Sequence, residues 1–386
     1  MNSNSGLNEI VVLTSDEPWS DIWHTQLHYA YQVSKRCKVF YLNPPGPWKI
    51  SNLFDFKPES KQISENLKVV RYKNLLPSFI GILSVFINDF INEILIKKQI
   101  PGFNSKSKLV VWHFDPFRSL YIFRKFSNAK HVYHVVDPVV GYHLDKEMAL
   151  MADLVIVTSP KFLSHYQSLN KNVMQVGQGV DLDFFNEKFT PDSLKSLVSY
   201  DSILLLGTFS DEIDYRFLHL LAARYPGKLV LIGPDKTVAD DTKATLEKLK
   251  SIPGVQWLGP MNPVVFHKHL VACRVGIITY TYSNYERNNL RSPLKVISYL
   301  ACGKCIISNI DCEMPDLTNK AIYIVDNDNA YFELLDASYK NELQFDESAV
   351  GEFLSAMDYQ KLLTTIFAGM GEQLPSLKLK TSWSQN

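Results

Sequence analysis

A short stretch in the second half of the sequence combines residue types that suit a phosphate group. Residues 292–295 read Ser-Pro-Leu-Lys and precede an apolar run that ends at Gly303. Ser292 is a good N-cap, and Pro293 suits the first turn of a helix. The start of a helix exposes N–H groups and a partial positive charge, to which Lys295 adds a full charge. The spacing predicts an anion site here, although a surface helix with a solvated lysine would show the same pattern.

Other residues of the same half could complete such a site. Arg287 and Arg291 lie in the polar loop before the helix. Glycines stand at the carboxyl ends of three predicted strands, at Gly207-Thr208, Gly233-Pro234 and Gly259-Pro260, where a bare backbone could approach a ligand closely. The sequence has no GxxxxGK[ST] and no GxGxxG after the first strand, so the fingerprints of a P-loop protein and of a dehydrogenase are absent.

Apolar strand patterns alternate with amphipathic helix patterns along almost the whole chain. Continuous apolar strands separated by helices indicate parallel sheets covered on both faces, so we predict an α/β fold with two doubly wound, Rossmann-like domains. Ligands of such sheets bind at the carboxyl ends of the strands, and we expect the active site in a central cleft that both domains face. The predicted strands are 9–14, 37–43, 67–72, 108–114, 131–137, 153–159 and 172–177, then 202–207, 228–233, 255–259, 275–280, 304–309 and 321–325.

A polar stretch at 185–201 separates the two series of strands. We therefore predict a first domain over 1–185, a linker over 186–200, a second domain over 201–370 and a C-terminal tail over 371–386. A chain of 386 residues is also too long for one ordinary hydrophobic core, which agrees with two domains.

Composition restricts the classes of partner and compartment. Forty basic side chains balance forty acidic ones, so the net charge does not indicate a nucleic-acid partner. The first residues have neither a basic leader nor a long apolar run, and the five cysteines are an odd number, so we expect a cytoplasmic, reduced protein. Cys302, Cys305 and Cys312 could suggest zinc, but three thiols without a fourth ligand at finger-like spacing favour packing.

Several motifs resemble those of a known family. VGQGVDLDFF (176–185), VQWLGP (255–260) and PLKVISYLACGKCIIS (293–308) resemble bacterial glycosyltransferases of the two-Rossmann, or GT-B, fold. The stretches at 17–33 and 136–162 resemble the subgroup that builds surface polysaccharides, such as teichuronic-acid-type transferases. The xanthan glucuronosyltransferase is also similar, with an aspartate at a strand end and a lysine-containing helix.

For the second domain, the resemblance implies a site for a nucleoside-diphosphate sugar. The start of the helix at 292–295 would face the diphosphate, and Lys295 would neutralise the leaving group. Gly259 would lie by the base, and Gly207 with Thr208 near the phosphates or the transferred sugar. The implied donor-binding residues are Gly207, Thr208, Gly259, Arg291, Ser292, Pro293, Leu294, Lys295 and Ser298.

For the first domain, the resemblance implies binding of the acceptor. Asp137 matches the aspartate that acts as base in the xanthan-type enzyme, and His28 matches a histidine of the motif after the first strand, so both are candidate catalytic residues. His24, Asp16 and Tyr142 are weaker candidates for the acceptor side. Asp137 before Pro138 would also suit a plain helix cap.

The sequence departs from the family at one position. Most relatives carry a glutamate three residues after the lysine, where it binds the ribose hydroxyls, whereas this chain has Ser298.

The expected activity is transfer of a sugar from UDP- or GDP-sugar to a growing cell-surface or exopolysaccharide acceptor. In a fold of this kind positive side chains and helix dipoles can replace a metal, so we expect neither a metal nor another cofactor. Ser298 motivates the alternative of a catalytically silent, nucleotide-binding partner in a polysaccharide assembly complex. A nucleotide-sugar epimerase would leave the N-terminal motif unexplained.

The segment 75–100 raises the question of membrane contact. It begins strongly apolar, but Asn88, Asp89, Asn92 and Glu93 interrupt it too early for a spanning helix. A helix lying on the inner face of the cell membrane, anchored by Lys97 and Lys98, would suit a lipid-linked acceptor. A helix packed against the N-terminal sheet is the alternative.

Overall fold

The computed structural model describes residues 10–77, 81–100, 108–116, 129–137, 144–186, 201–281 and 294–377. The chain forms two compact units. The first comprises Met1–Val176 together with Leu362–Asn386, and the second comprises Gly177–Lys361.

The first unit contains an eight-stranded sheet with the order β3-β4-β2-β1-β5-β6-β7-β8. Only β3 is antiparallel, and it pairs with β4 at the edge of the described sheet. Because β1 and β5 lie inside the sheet, every residue of both strands is buried. The strands are β1 (Ile10–Thr14), β2 (Lys38–Leu42), β3 (Glu59–Ser64), β4 (Leu67–Arg71), β5 (Leu109–His113), β6 (Ala129–Val135), β7 (Leu154–Val157) and β8 (Val173–Gln175).

The described helices of this unit are α1 (Thr25–Ser34), α2 (Ile82–Lys97), α3 (Asp145–Met151) and α4 (Leu163–Gln167). The C-terminal end of α2 packs on the sheet, since Ile96 and Ile100 join a core cluster with β1, β2 and β5. None of the helices that the structure describes is long and apolar enough to cross a membrane.

The C-terminal segment belongs to the first unit because it bonds to that unit along its length. The side-chain amide of Asn172 donates to the carbonyl of Gly369 at 2.9 Å. Lys108 forms an ion pair with Glu372 at 2.7 Å, and the Arg36 guanidinium donates to the carbonyl of Pro375 at 2.6 Å.

The second unit contains a six-stranded parallel sheet with the order β11-β10-β9-β12-β13-β14. Its strands are β9 (Ile203–Leu206), β10 (Leu229–Ile232), β11 (Gln256–Gly259), β12 (Val275–Ile278), β13 (Ile306–Ser308) and β14 (Ile322–Ile324). Its helices are α5 (Leu182–Phe185), α6 (Tyr215–Arg224), α7 (Asp240–Lys250), α8 (Pro263–Ala272), α9 (Leu294–Ala301), α10 (Asp328–Tyr339) and α11 (Glu347–Ala356), and α12 (Tyr359–Gly369) contains the boundary between the units.

The predicted α/β fold with two mainly parallel sheets is confirmed, and every predicted strand is present within a few residues of its predicted bounds. Strand β3 was missed because its sequence, ESKQIS, is polar and its residues are mostly exposed at the edge. The division between the units also differs from the predicted domains, because it falls after Val176 and the chain returns to the first unit at Leu362. Nearly all of the predicted linker over 186–200 lies outside the described residues.

Candidate functional site

The strand order of the second sheet defines the place where a ligand would bind. From β9 the chain first builds outward through β10 and β11, and then crosses to β12 on the other side of β9. In open parallel sheets the crevice at such a switch point, beyond the carboxyl ends of the strands, is the usual ligand site. Gly207 follows β9 and Thr279 follows β12, so both lie at this switch point.

Three glycines form a bare backbone surface beside the switch point. The amide of Gly207 donates to the carbonyl of Ile232 at 3.0 Å, and the amide of Gly233 donates to the carbonyl of Gly259 at 2.9 Å. Gly207 and Gly233 have φ angles of 144° and 145°, which favour glycine. A Cβ on Gly233 would lie 1.8 Å from the Gly207 carbonyl oxygen. The close approach of these turns therefore depends on the absence of a side chain.

Lys295, on the first turn of α9, places its ammonium group over this surface. Its Nζ lies 2.9 Å from the point that a Cβ on Gly207 would occupy. The same atom donates to the Tyr280 hydroxyl at 3.0 Å and lies 4.9 Å from the centre of that ring. Among the described residues Lys295 forms no ion pair with a carboxylate. A half-buried cation held in this way by a neutral partner suits an anionic ligand.

Two side chains that sequence reasoning missed fix this arrangement. Tyr299, one turn after Lys295 on α9, donates its hydroxyl to the Leu204 carbonyl at 2.8 Å and accepts from the Leu206 amide at 2.9 Å. Its ring lies against Gly276 of β12, where a Cβ would come within 2.6 Å of the ring. The four-residue spacing between Lys295 and Tyr299 was the available signal, because it places both on one face of a helix.

Asn309, which follows β13, fixes the turn that carries Tyr280. Its side-chain oxygen accepts from the Tyr280 amide at 2.9 Å, and its side-chain amide donates to the Tyr280 carbonyl at 2.7 Å. Both backbone groups are satisfied, so the tyrosine that contacts Lys295 is held from the next strand of the sheet.

The remaining predicted donor residues are placed as follows. Thr208 and Leu294 are half-buried, and Ser298 is buried with 9% of its surface exposed, on α9 one turn from Lys295. Gly259 ends β11 and accepts from Gly233. The predicted residues Arg291, Ser292 and Pro293 lie outside the described residues, as does Arg287.

Carboxylates gather at the corresponding switch point of the first sheet, between β1 and β5. Thr14 and His113 are paired in the parallel register, so Asp16 and Asp115, two residues further on, leave neighbouring strands at the same level. Asp137 follows β6, the next strand. Burial, together with the negative charges of Asp115, Glu17 and Asp137, raises the pKa of Asp16 to about 6. The sequence makes Asp16 only a weaker candidate, yet the charges of Asp115, Glu17 and Asp137 all act on it.

The predicted histidines lie on the neighbouring segment. His24 is the N-cap residue of α1, and its Nε2 lies 3.8 Å from a carboxylate oxygen of Glu17. His28 is half-buried, with its ring 5.2 Å from that of Trp23. Tyr142 lies outside the described residues.

No group of three or more His, Cys, Asp or Glu side chains in the described ranges could hold a metal ion. Cys312, one of the three thiols considered for zinc, is buried, and burial raises its pKa to about 12. A thiol with a raised pKa is a poor metal ligand, because binding requires the thiolate.

Comparison with known proteins agrees with this architecture. No family model matches the chain. A Bacillus subtilis protein assigned as the teichuronic acid biosynthesis glycosyltransferase TuaH is 27% identical over 140 residues, which are 36% of this chain and 34% of that protein. The match therefore spans only about a third of the relative.

Solved structures match over nearly the whole chain. Sucrose-phosphate synthase from Thermosynechococcus elongatus superposes with a TM-score of 0.64 at 14% identity, over 92% of this chain and 96% of that one. Anabaena HepE in complex with UDP and glucose superposes with a TM-score of 0.61 at 12% identity, over 94% and 99% of the two chains. The fold is the GT-B fold. Within this GT-B fold, the second unit carries the lysine and bare-backbone site, and the first unit carries the carboxylate group.

Proposed function

We propose that this protein is a glycosyltransferase that moves a sugar from a nucleoside-diphosphate sugar, with UDP or GDP as the nucleotide, to a cell-surface or exopolysaccharide acceptor. The observation that carries the proposal is the Lys295 ammonium held over the Gly207 turn at the switch point of the second sheet. The similarity to TuaH over part of the chain and the fold shared with a UDP-binding protein support it.

The second unit would bind the donor. Lys295 would contact the diphosphate and offset the charge that develops there as the bond to the sugar breaks. The turns at Gly207 and Gly233 present backbone without side chains, so a phosphate or sugar could come close to them. The same positive charge would make a bound metal unnecessary, and metal independence is part of the proposal.

The first unit would bind the acceptor. In the overall transfer, an acceptor hydroxyl oxygen bonds to the anomeric carbon, the bond from that carbon to the diphosphate breaks, and the hydroxyl proton passes to a base. Asp137, which is exposed at its strand end, is the proposed base. Asp16 and Asp115 would place further carboxyl groups beside Asp137 and would contact acceptor hydroxyls. A lipid-linked acceptor and peripheral contact with the cell membrane through 75–100 are included in the proposal.

The test is calorimetry with UDP, GDP and ADP, followed by assay of nucleoside-diphosphate release from the matching sugars with and without excess chelator. We expect one nucleoside diphosphate to bind and its sugar to be turned over in chelator. Activity that is lost in chelator and restored by manganese would contradict metal independence. Binding without turnover in the presence of acceptor glycans would support the silent nucleotide-binding partner that Ser298 suggests.

A further inference from the structure

Helix α2 (Ile82–Lys97) has its polar face buried and its apolar face exposed, the reverse of an ordinary surface helix. Its buried polar residues are Ser84, Asn88, Asp89, Asn92 and Glu93. Its exposed apolar residues are Leu83, Phe86, Ile87, Phe90 and Ile94, of which Leu83 is 70% and Phe90 is 53% exposed.

Three of the buried polar side chains, Asn88, Asn92 and Glu93, form specific bonds. The Asn88 side chain accepts from the Leu76 amide at 2.7 Å and donates to the Leu76 carbonyl at 2.8 Å. The Asn92 side chain donates to that of Asn74 at 3.0 Å, and Glu93 forms an ion pair with Lys97. Because the bonds of Asn88 and Asn92 join α2 to Leu76 and Asn74 outside the helix, they fix its rotation about its axis, and the apolar face points outward.

A second apolar element is tied to the same scaffold. Asn52, in the 3-10 turn Ile50–Leu53, donates its side-chain amide to the carbonyl of Asn74, the residue that also contacts α2. Phe54, directly after this turn, is 86% exposed, and Ile50 is 70% exposed. Because Asn74 bonds to both elements, we group these residues with the exposed residues of α2 and call the set the outer apolar face: Ile50, Leu53, Phe54, Leu83, Phe86, Ile87, Phe90 and Ile94.

The charges around this face are mainly positive. Lys49 precedes Ile50, Lys57 follows Phe54 and Lys98 follows α2, and all three are exposed. Asp55, the acid beside Phe54, is paired with Lys73 at 2.7 Å. Exposed Phe, Leu and Ile flanked by lysines are typical of segments that lie in an anionic membrane interface, whereas lysine is depleted at protein–protein interfaces.

We propose that the outer apolar face inserts into the interface of an anionic lipid bilayer, with Lys49, Lys57 and Lys98 at the level of the lipid phosphates. The inference deepens the proposed function, because it would bring the acceptor-binding unit to a lipid-linked acceptor. It can fail while that function holds, since vesicle binding and nucleotide binding are measured separately.

The test is co-sedimentation of the whole chain with vesicles of phosphatidylcholine alone and of phosphatidylcholine with phosphatidylglycerol in equal parts. We expect binding to the anionic vesicles. Leu83→Ser/Phe90→Ser should weaken it about tenfold or more, and Phe54→Ser should weaken it separately, because each removes apolar surface from the interface. Changing Lys49, Lys57 or Lys98 to Gln should each cost about fivefold on anionic vesicles.

The matched control is Leu220→Ser/Val238→Ser, which removes comparable exposed apolar side chains, 44% and 76% exposed, from the second unit. It should leave vesicle binding unchanged, and unchanged nucleotide binding and thermal unfolding would show that all variants fold. Absence of vesicle binding, or equal binding by wild type and Leu83→Ser/Phe90→Ser, would overturn the proposal. If the wild type does not bind vesicles but self-associates, and Leu83→Ser/Phe90→Ser is monomeric, the face would instead bind a second copy of the chain.

Discussion

Replacing Lys295 with methionine tests the donor site most directly. Methionine keeps an unbranched side chain of similar length, so the packing of α9 should survive while the charge is lost. A charge-assisted hydrogen bond contributes about 1.5–3 kcal/mol. Because Lys295 is half-buried and already bonds to Tyr280, the lower half of that range applies, and nucleoside-diphosphate affinity should fall about tenfold to fortyfold.

Tyr280→Phe tests how much the hydrogen bond that positions the Lys295 ammonium contributes, because this variant keeps the charge itself. This change removes the hydroxyl that accepts from Lys295 at 3.0 Å but keeps the ring that lies 4.9 Å away. Loss of one hydrogen bond should weaken nucleotide binding by only about three- to fivefold. If the tyrosine acts through the lysine, the double variant should bind no more weakly than Lys295→Met alone.

Isothermal titration calorimetry with UDP and GDP, at two salt concentrations, measures these affinities. Wild-type affinity should fall as salt rises, and the dependence should be smaller in Lys295→Met. Lys243→Met, at an exposed position of α7, is the control and should behave as wild type. Unchanged affinity in Lys295→Met, or strictly additive losses in the double variant, would refute the reasoning.

Three further predictions concern the base, a buried acid and a glycine. Asp137→Asn should lower the transfer rate about a hundredfold to ten-thousandfold with unchanged nucleotide affinity. Near-normal turnover would instead show that Asp137 is a helix cap, because asparagine caps a helix equally well. Burial raises the pKa of Asp89 to about 7, so the folded state keeps a proton that the unfolded state releases, and the free energy of unfolding should decrease between about pH 4 and pH 7. Asp89→Asn should remove this decrease and stabilise the protein at pH 8 by at most about 4 kcal/mol in urea unfolding; parallel pH profiles would contradict it. Gly233→Ala should destabilise by about 3 kcal/mol or more, because its Cβ would overlap the Gly207 carbonyl, whereas Gly227→Ala, with a positive φ but open space, should cost about 1 kcal/mol in the same urea assay.

The local pattern of apolar residues was sufficient to predict most strands and helices of this fold. Most of the predicted strands are short apolar runs that are buried in the sheet, so their identity does not depend on which strand lies next to them. The helix after residue 293 was predictable for the same reason, and with it the position of Lys295. The glycines at 207, 233 and 259 were also evident, because a turn after a strand is a local feature.

Contacts between distant residues decided the rest. Only the order of the strands brings Gly207, Tyr280 and Lys295 together, and only the same kind of adjacency gathers Asp16, Asp115 and Asp137. The sequence pattern of α2 shows that the helix has a polar face and an apolar face, but it does not show which of the two is buried. Its rotation is decided by Asn74 and Leu76, which offer hydrogen-bond partners to Asn88 and Asn92 and thereby bury the polar face. An amide group buried without such partners would cost free energy, so the packing of these distant segments, rather than the pattern of the helix, determines which face meets the solvent.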